Sequence, residues 1–347
     1  MADLLIGTYT RTGTPSDGQG GTGSLGVYAA SFDGRDVTLG AATQAENPSF
    51  VAGHPTLPIF YTVIETGDYA QDSGGIGWWC PGDTSLRGRC ASMGGDPCHL
   101  SLDPLGGYLV VSNYAGGTLA TFGLDEDGAI GGLRSLIAHH GRGTDPVRQA
   151  SPHVHSAVPS VDGCHLYVAD LGLDELVRYA VRGGQVAAGE RETVRLAPGA
   201  GPRHFCICDD VMYLVNELDS TVTRLALTAA GPLELSRYSA LEVGNDAPSS
   251  AADIHLSRDG RFLYVSNRGQ DNIAVFGVEG DVLVPLQHVG SGGRHPRHFA
   301  LAPDERSLLV ANTHSDCVVV FARDVETGRL AEISRVTVPA PTCIFFR

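Results

Sequence analysis

The residues best able to do chemistry in this chain lie in short, separated clusters. His153 and His155 fall within Ser151-Pro-His-Val-His155, Arg203 and His204 within Gly201-Pro-Arg-His204, and Arg297 and His298 directly after Pro296. His99 stands two residues after Pro97, and Asp253 is three residues beyond Ser250. A second set closes apolar runs: Glu65, Asn113-Tyr114, Asp170, Asn216-Glu217, Asn267-Arg268 and Asn312. Histidine and carboxylate side chains can move protons near neutral pH, and arginine's planar fork matches carboxylate and phosphate oxygens. The spacing His153-Val-His155, with Asp170, offers ligand types a transition metal accepts. No third ligand follows at a diagnostic spacing, so no metal and no cofactor are expected. Cys206-Ile-Cys208 alternates with Phe205 and Ile207 and reads as core, and His139-His140 reads as surface loop. No glycine-rich nucleotide fingerprint opens a helix, and no Gly-x-Ser-x-Gly elbow is present, which argues against nucleotide and serine-hydrolase chemistry.

Those clusters need a scaffold, and the sequence supplies one by repetition. Short strands recur after Pro48, Pro97, Pro152, Pro202, Ser249 and Pro296, at intervals of 47 to 55 residues. The clearest unit runs from Ser250 to Phe276. It holds a first strand, an Asp259-Gly260 turn, a second strand Phe262 to Ser266, a polar loop, and a third strand from Ile273. A fourth apolar stretch, Val282-Leu-Val-Pro-Leu286, closes it. A period near 50 with four strands predicts a β-propeller blade. Six anchors give six blades. Leu4 to Thr8, Leu25 to Ala29 and Val37 to Leu39 match the second, third and fourth strands of another unit, and Pro341 to Phe346 matches the first. The C-terminal strand is therefore expected to complete the N-terminal blade and close a seven-bladed, all-β propeller that spans residues 1–347 as one domain.

Within such a blade the start of strand one and the end of strand two lie at the same end of the channel. The two sets of polar residues thus converge on one mouth, with four consecutive blades contributing most. Asn113, Asn216, Asn267 and Asn312 recur at one position, which also suits a turn role. The segment 65–96, with Trp78-Trp79 and Arg87-Gly-Arg89, is expected to be either a lid or an elongated outer hairpin. A disulfide among Cys80, Cys90 and Cys98 is considered beside reduced thiols.

Composition limits the partners. All 24 basic residues are arginine, against 39 acidic ones, for a formal charge of -15. The lack of lysine removes Schiff-base and P-loop chemistry. The acidic balance argues against nucleic acid and against a polybasic membrane anchor. With no signal-like or membrane-length apolar run at hand, a cytoplasmic location is expected.

Ser151-Pro-His-Val-His155, Asp170-Leu-Gly, Gly201-Pro-Arg-His204, Asn216-Glu-Leu218, Asp259 to Arg268 and Pro296-Arg-His-Phe299 together resemble the propeller-type 6-phosphogluconolactonase family, also called lactonase or cycloisomerase 2. The resemblance implies a seven-bladed propeller, a small anionic lactone as substrate, and an active-site group on His155, Arg203, Glu217 and Arg268. It also implies the related alternative of a carboxymuconate cyclase; a non-enzymatic interaction platform is the third reading. Lactone hydrolysis needs a water, a base and a stabilised oxyanion. Glu217 is the first choice for base and His155 the second, with Arg203 or Arg268 on the oxyanion. His153, Asp170, Asn216, Asn267, Arg297 and His99 are expected to contact substrate. Read from the residues alone, Arg203 and Arg268 bridging blades through Glu217 accounts for the same pattern.

Overall fold

The structure, a computed structural model, describes residues 1–10, 23–67 and 74–347. Seven four-stranded antiparallel sheets form the blades. Their innermost strands are Pro341–Phe346, Val51–Gly53, Pro97–Leu102, Val154–Pro159, Pro202–Cys208, Ser250–Leu256 and Pro296–Leu301, which we assign to blades 1 to 7 in that order. Blade 1 closes the ring. Its inner strand comes from the C-terminus and pairs with Ala2–Thr8, with Leu4 opposite Phe346 and Ile6 opposite Ile344. This pairing covers the inner edge of Ala2–Thr8 and ties the two ends of the chain into one sheet.

The blades adhere through apolar faces. Val110 and Leu119 of blade 3 meet Val154, Ala157, Val168 and Val177 of blade 4, all fully buried. Each such side chain contributes roughly 1.5–3 kcal/mol by leaving water. The second strands Tyr108–Asn113 and Ser307–Asn312 are buried along their whole length, whereas the fourth strands Ile130–Ala138 and Leu330–Thr337 are mostly half-buried or exposed, as an outer edge should be. The expected hairpin at Asp259-Gly260 is present: Gly260 takes φ +73° and the Asp259 carboxylate accepts from the Ser257 hydroxyl and the Arg261 amide.

Blade 2 explains the segment 65–96. Gly75–Trp79 and Gly88–Ala91 are its third and fourth strands, so this part is outer blade; residues 68–73 fall outside the described residues. Cys80, Cys90 and Cys98 are free thiols, and no disulfide joins them.

One irregularity of the ladder matters for function. In six of the seven inner strands the register slips by one residue near the start, between Pro97 and His99, Val154 and Ser156, Pro202 and Phe205, Ala251 and Ile254, Pro296 and His298, and at Thr342. A regular strand turns alternate residues to opposite faces. A bulge inserts one residue and re-aims it, so two neighbours can face the channel.

Candidate active site

The bulges build the pocket. Cys98, His155 and Arg297 are the residues at the register slip in blades 3, 4 and 7 and line the mouth, while the slip in blade 5 takes in Arg203 and His204. At Gly201 the chain enters blade 5 with φ +66°, and a β-carbon there would lie 2.5 Å from Leu218. Only glycine fits both demands. The Gly201 amide donates to Asp174, and Pro202 then starts the strand that presents Arg203.

Glu217 is the centre of the charge network. Its Oε2 accepts from Arg203 Nε at 3.0 Å and pairs with Arg268 at 2.9 Å, while Oε1 accepts from Arg148. His155 Nε2 lies 3.9 Å from the same Oε2. Burial pushes the Glu217 carboxyl upward, but Arg268, Arg148 and Arg203 outweigh it and hold the pKa well below the carboxylate range. His155 goes the other way: burial, then Arg203 and His204, keep it far below the usual histidine value, so its imidazole is neutral at pH 7. Burial and the Arg268 charge bring Arg203 down to about 10, still a cation.

Glu65, Asp96, Cys98, Tyr114, Arg148, His155, Glu217, Arg268 and Arg297 line a narrow pocket at the mouth. Arg297 stacks on the Tyr9 ring and lies 3.7 Å from Glu65, which accepts from the Tyr9 hydroxyl at 2.8 Å. Arg268 is anchored by the Ser250 and Ala251 carbonyls. Arg203 stands behind Glu217, outside the lining, with Nη1 on the Ala252 carbonyl.

Of the ten residues singled out in the sequence, His155, Glu217, Arg268 and Arg297 line the pocket, and Arg203 supports it. The other five have different surroundings. His153 precedes the bulge, so it does not share a direction with His155; it stacks on the Tyr114 ring at 4.4 Å and bonds the Tyr114 carbonyl. Asp170 is fully buried against His139 at 2.7 Å and the His153 amide. His139 is therefore core, not surface, and also meets the Tyr179 hydroxyl. Asn216 donates to Thr221 and Thr223, and Asn267 to the Ala240 carbonyl and Asn272, so both amides tie blade loops rather than face the pocket. His99 lies one layer deeper, against Phe50 and His204.

Sequence reasoning missed Arg148, Asp96 and Cys98. Arg148 comes from the long loop between blades 3 and 4, where no repeat position marks it. Cys98 carried a signal: Pro97-Cys-His99, Pro202-Arg-His204 and Pro296-Arg-His298 share one pattern, with Cys98 and Arg297 in the pocket, Arg203 behind it, and the histidines in the layer below.

That lower layer is a waist of imidazoles. His99, His204 and His298 surround the Phe50 ring at 4.5 to 6.0 Å. Burial lowers His99 well below its usual value, His204 to about 3 and His298 to about 4. Donor atoms of Asp253, His255 and His298 lie within 4.8 Å of one another, a spacing a cation could use. The His298 Nδ1, however, accepts the Ile344 amide at 3.3 Å. Its Nε2 then carries the proton and faces Asp253 as a donor, not as a ligand. The histidine pair His153/His155 with Asp170 likewise does not converge on one point.

Comparison with known proteins fits this geometry. Residues 3–346 match the family described as lactonase, 7-bladed beta-propeller. The chain belongs to this lactonase family. A 6-phosphogluconolactonase of Bacillus subtilis is 32% identical over 98% of this chain and 97% of its own length. A 6-phosphogluconolactonase of Formosa agariphila is 33% identical over 95% of each. Among solved structures, a Lactobacillus plantarum protein superposes with a TM-score of 0.90 at 30% identity, covering 100% of this chain and 99% of the other. The periplasmic gluconolactonase of Pseudomonas aeruginosa does so with 0.87 at 30%, covering 99% and 98%.

Proposed function

We propose that this protein hydrolyses the lactone of a sugar acid and that 6-phosphogluconolactone is its substrate. The observation that carries the reading is one arrangement: the Glu217 carboxylate clamped by three guanidiniums beside a neutral His155, in a pocket at the channel mouth. The B. subtilis and F. agariphila relatives bear the name of that activity. Arg148, Arg203, Arg268 and Arg297 against Glu65, Asp96 and Glu217 leave a local excess of positive charge inside an acidic protein. That excess suits a phosphorylated lactone.

In this mechanism His155 takes a proton from water as the water oxygen bonds to the lactone carbonyl carbon. Arg268 stabilises the oxyanion, because it lines the pocket with its fork already oriented by two carbonyls. Collapse breaks the ring C–O bond and the ring oxygen takes the proton of the new carboxylic acid, which leaves a hydroxycarboxylate and one proton on His155. Three guanidiniums make Glu217 a poor proton acceptor, so we assign the base to His155, although the sequence pattern favours Glu217. Glu217 instead stabilises the imidazolium across 3.9 Å. Arg297 and Arg148 hold the phosphate.

Initial rates on 6-phosphogluconolactone and glucono-δ-lactone, corrected for spontaneous hydrolysis, test this directly. Charge-assisted bonds of roughly 1.5–3 kcal/mol predict kcat/KM about 10- to 100-fold higher for the phosphorylated lactone. Equal values move the substrate to unphosphorylated lactones. No enzymatic rate on either removes the hydrolase reading.

A further inference from the structure

Below the pocket, a line of titratable side chains continues down the channel, and of these only His155 has a role in the hydrolysis proposed above. The rings of His155 and His204 meet edge to face with centroids 5.3 Å apart, a separation that one water can bridge for proton transfer. His204 Nδ1 bonds Asp253 Oδ1 at 2.9 Å. Asp253 Oδ2 lies 3.0 Å from His255 Nε2. His155, His204 and Asp253 are buried, whereas the His255 side chain is 37% exposed. His255 is also five residues along the inner strand from Ser250, whose partner Arg268 is at the mouth. Across the bulge His255 opposes Tyr264, four residues from Arg268, so at about 3.3 Å per residue it stands some 13 Å deeper, toward the opposite end of the channel.

Lactone hydrolysis needs such an exit. One lactone and one water give a hydroxycarboxylate and one proton, and in the proposed mechanism that proton starts on His155. The mouth is a poor route out, because Arg148, Arg268 and Arg297 line it.

We infer that His204, Asp253 and His255 form a proton relay that carries the proton from His155 through the channel to the far face; the inference rests on the hydrolase reading. His204 accepts at Nε2 and releases its Nδ1 proton to Asp253, whose other oxygen passes a proton to His255 Nε2, and His255 delivers it to solvent. No atom other than the proton moves, and each carrier returns to its starting form after the next reorientation. Proton affinity along the line supports the direction. Arg203, His99 and His155 face His204, and burial beside them keeps it neutral. His255 faces Asp253, His298 and the Phe299 ring. Partial burial works against its charge, but the Asp253 carboxylate outweighs that and raises its pKa. The proton is therefore held most firmly at the exposed end.

The test is turnover of glucono-δ-lactone in weak buffer near neutral pH by His255→Phe and Asp253→Asn, with His155→Gln as control and melting temperature measured for all three. His255→Phe is expected to lower kcat about tenfold with KM unchanged. Added imidazole should restore the rate in the variant and leave the parent protein unaffected. Asp253→Asn should lose turnover in the same way if folded. A His255→Phe rate equal to that of the parent protein in weak buffer, or a loss that imidazole does not restore, overturns the relay. If His155→Gln keeps the full rate, the base assignment itself fails. If His155→Gln is inactive while His255→Phe is fully active, only the relay fails.

Discussion

The mouth and the waist of the channel are built from neighbouring residues yet hold charge in opposite ways. At the mouth Arg203, Arg268 and Arg148 surround Glu217, and every group stays ionised. One residue further along the strands, His99, His204 and His298 are as deeply buried but are held neutral. Desolvation acts on both layers. The difference is compensation: each mouth charge has an opposite partner in contact, whereas a proton on any waist histidine would join Arg203 and Arg297 with only Asp253 to offset them. In the proposed reading, binding, proton abstraction and electrostatic stabilisation fall to the upper layer, and proton release to the lower.

The strongest way to break this contrast is at their junction. His155→Gln should cost about 10²–10⁴-fold in kcat with a small change in KM, as removal of a general base does. Steady-state kinetics would show it, and a loss confined to KM would return the base to Glu217.

Acid unfolding separates the layers next. In the unfolded chain histidine protonates near pH 6.5, but His204 and His298 in the fold do so only near 3 and 4. Between those values the unfolded state binds more protons, so stability present above about pH 6.5 is lost as pH falls. Each such histidine costs about 1.4 kcal/mol per pH unit. His255, with a raised pKa, has the opposite sign and recovers part of the loss. Glu217 and Asp253, both depressed, add stability that is full above about pH 4 and is lost only as pH falls below it. Unfolding free energies from urea titrations at about pH 7 and pH 5 should differ by several kcal/mol; equal values would mean the waist already carries protons at neutrality.

Arg148 gives a smaller effect. Its side chain is 43% exposed, so Arg148→Gln should change stability by less than about 1 kcal/mol while raising KM for a phosphorylated lactone about tenfold. A matched rise for the unphosphorylated lactone would make Arg148 a clamp on Glu217 rather than a phosphate contact. Asn267→Ala should do least to catalysis: two buried hydrogen bonds are lost, for about 1–3 kcal/mol of stability, with KM within about twofold of the parent value. A KM rise without a lower melting temperature would restore the substrate contact expected from sequence.

Much of the scaffold was legible because it repeats. The strand cadence, the anchors and the C-terminal strand in blade 1 all follow from a period that alternating hydrophobicity makes visible. Glu217 and Arg268 were legible as polar residues at the ends of apolar second strands. His153 and Asp170 show where such reading stops. Strict alternation sends His153 and His155 the same way, but the slip at His155 separates them, and Asp170 turns to His139 from a loop that looked exposed. Arg148 could not be found by position because its loop belongs to one blade only.

By itself the sequence determined the number and order of blades, the end of the channel that gathers polar residues, and a cation chemistry limited to arginine and histidine. Only the tertiary structure decided which of those residues share a layer. A bulge is defined by two strands together, through the pairing of an inner strand with its neighbour, and closure of seven blades brings into contact side chains that lie 50 residues or more apart.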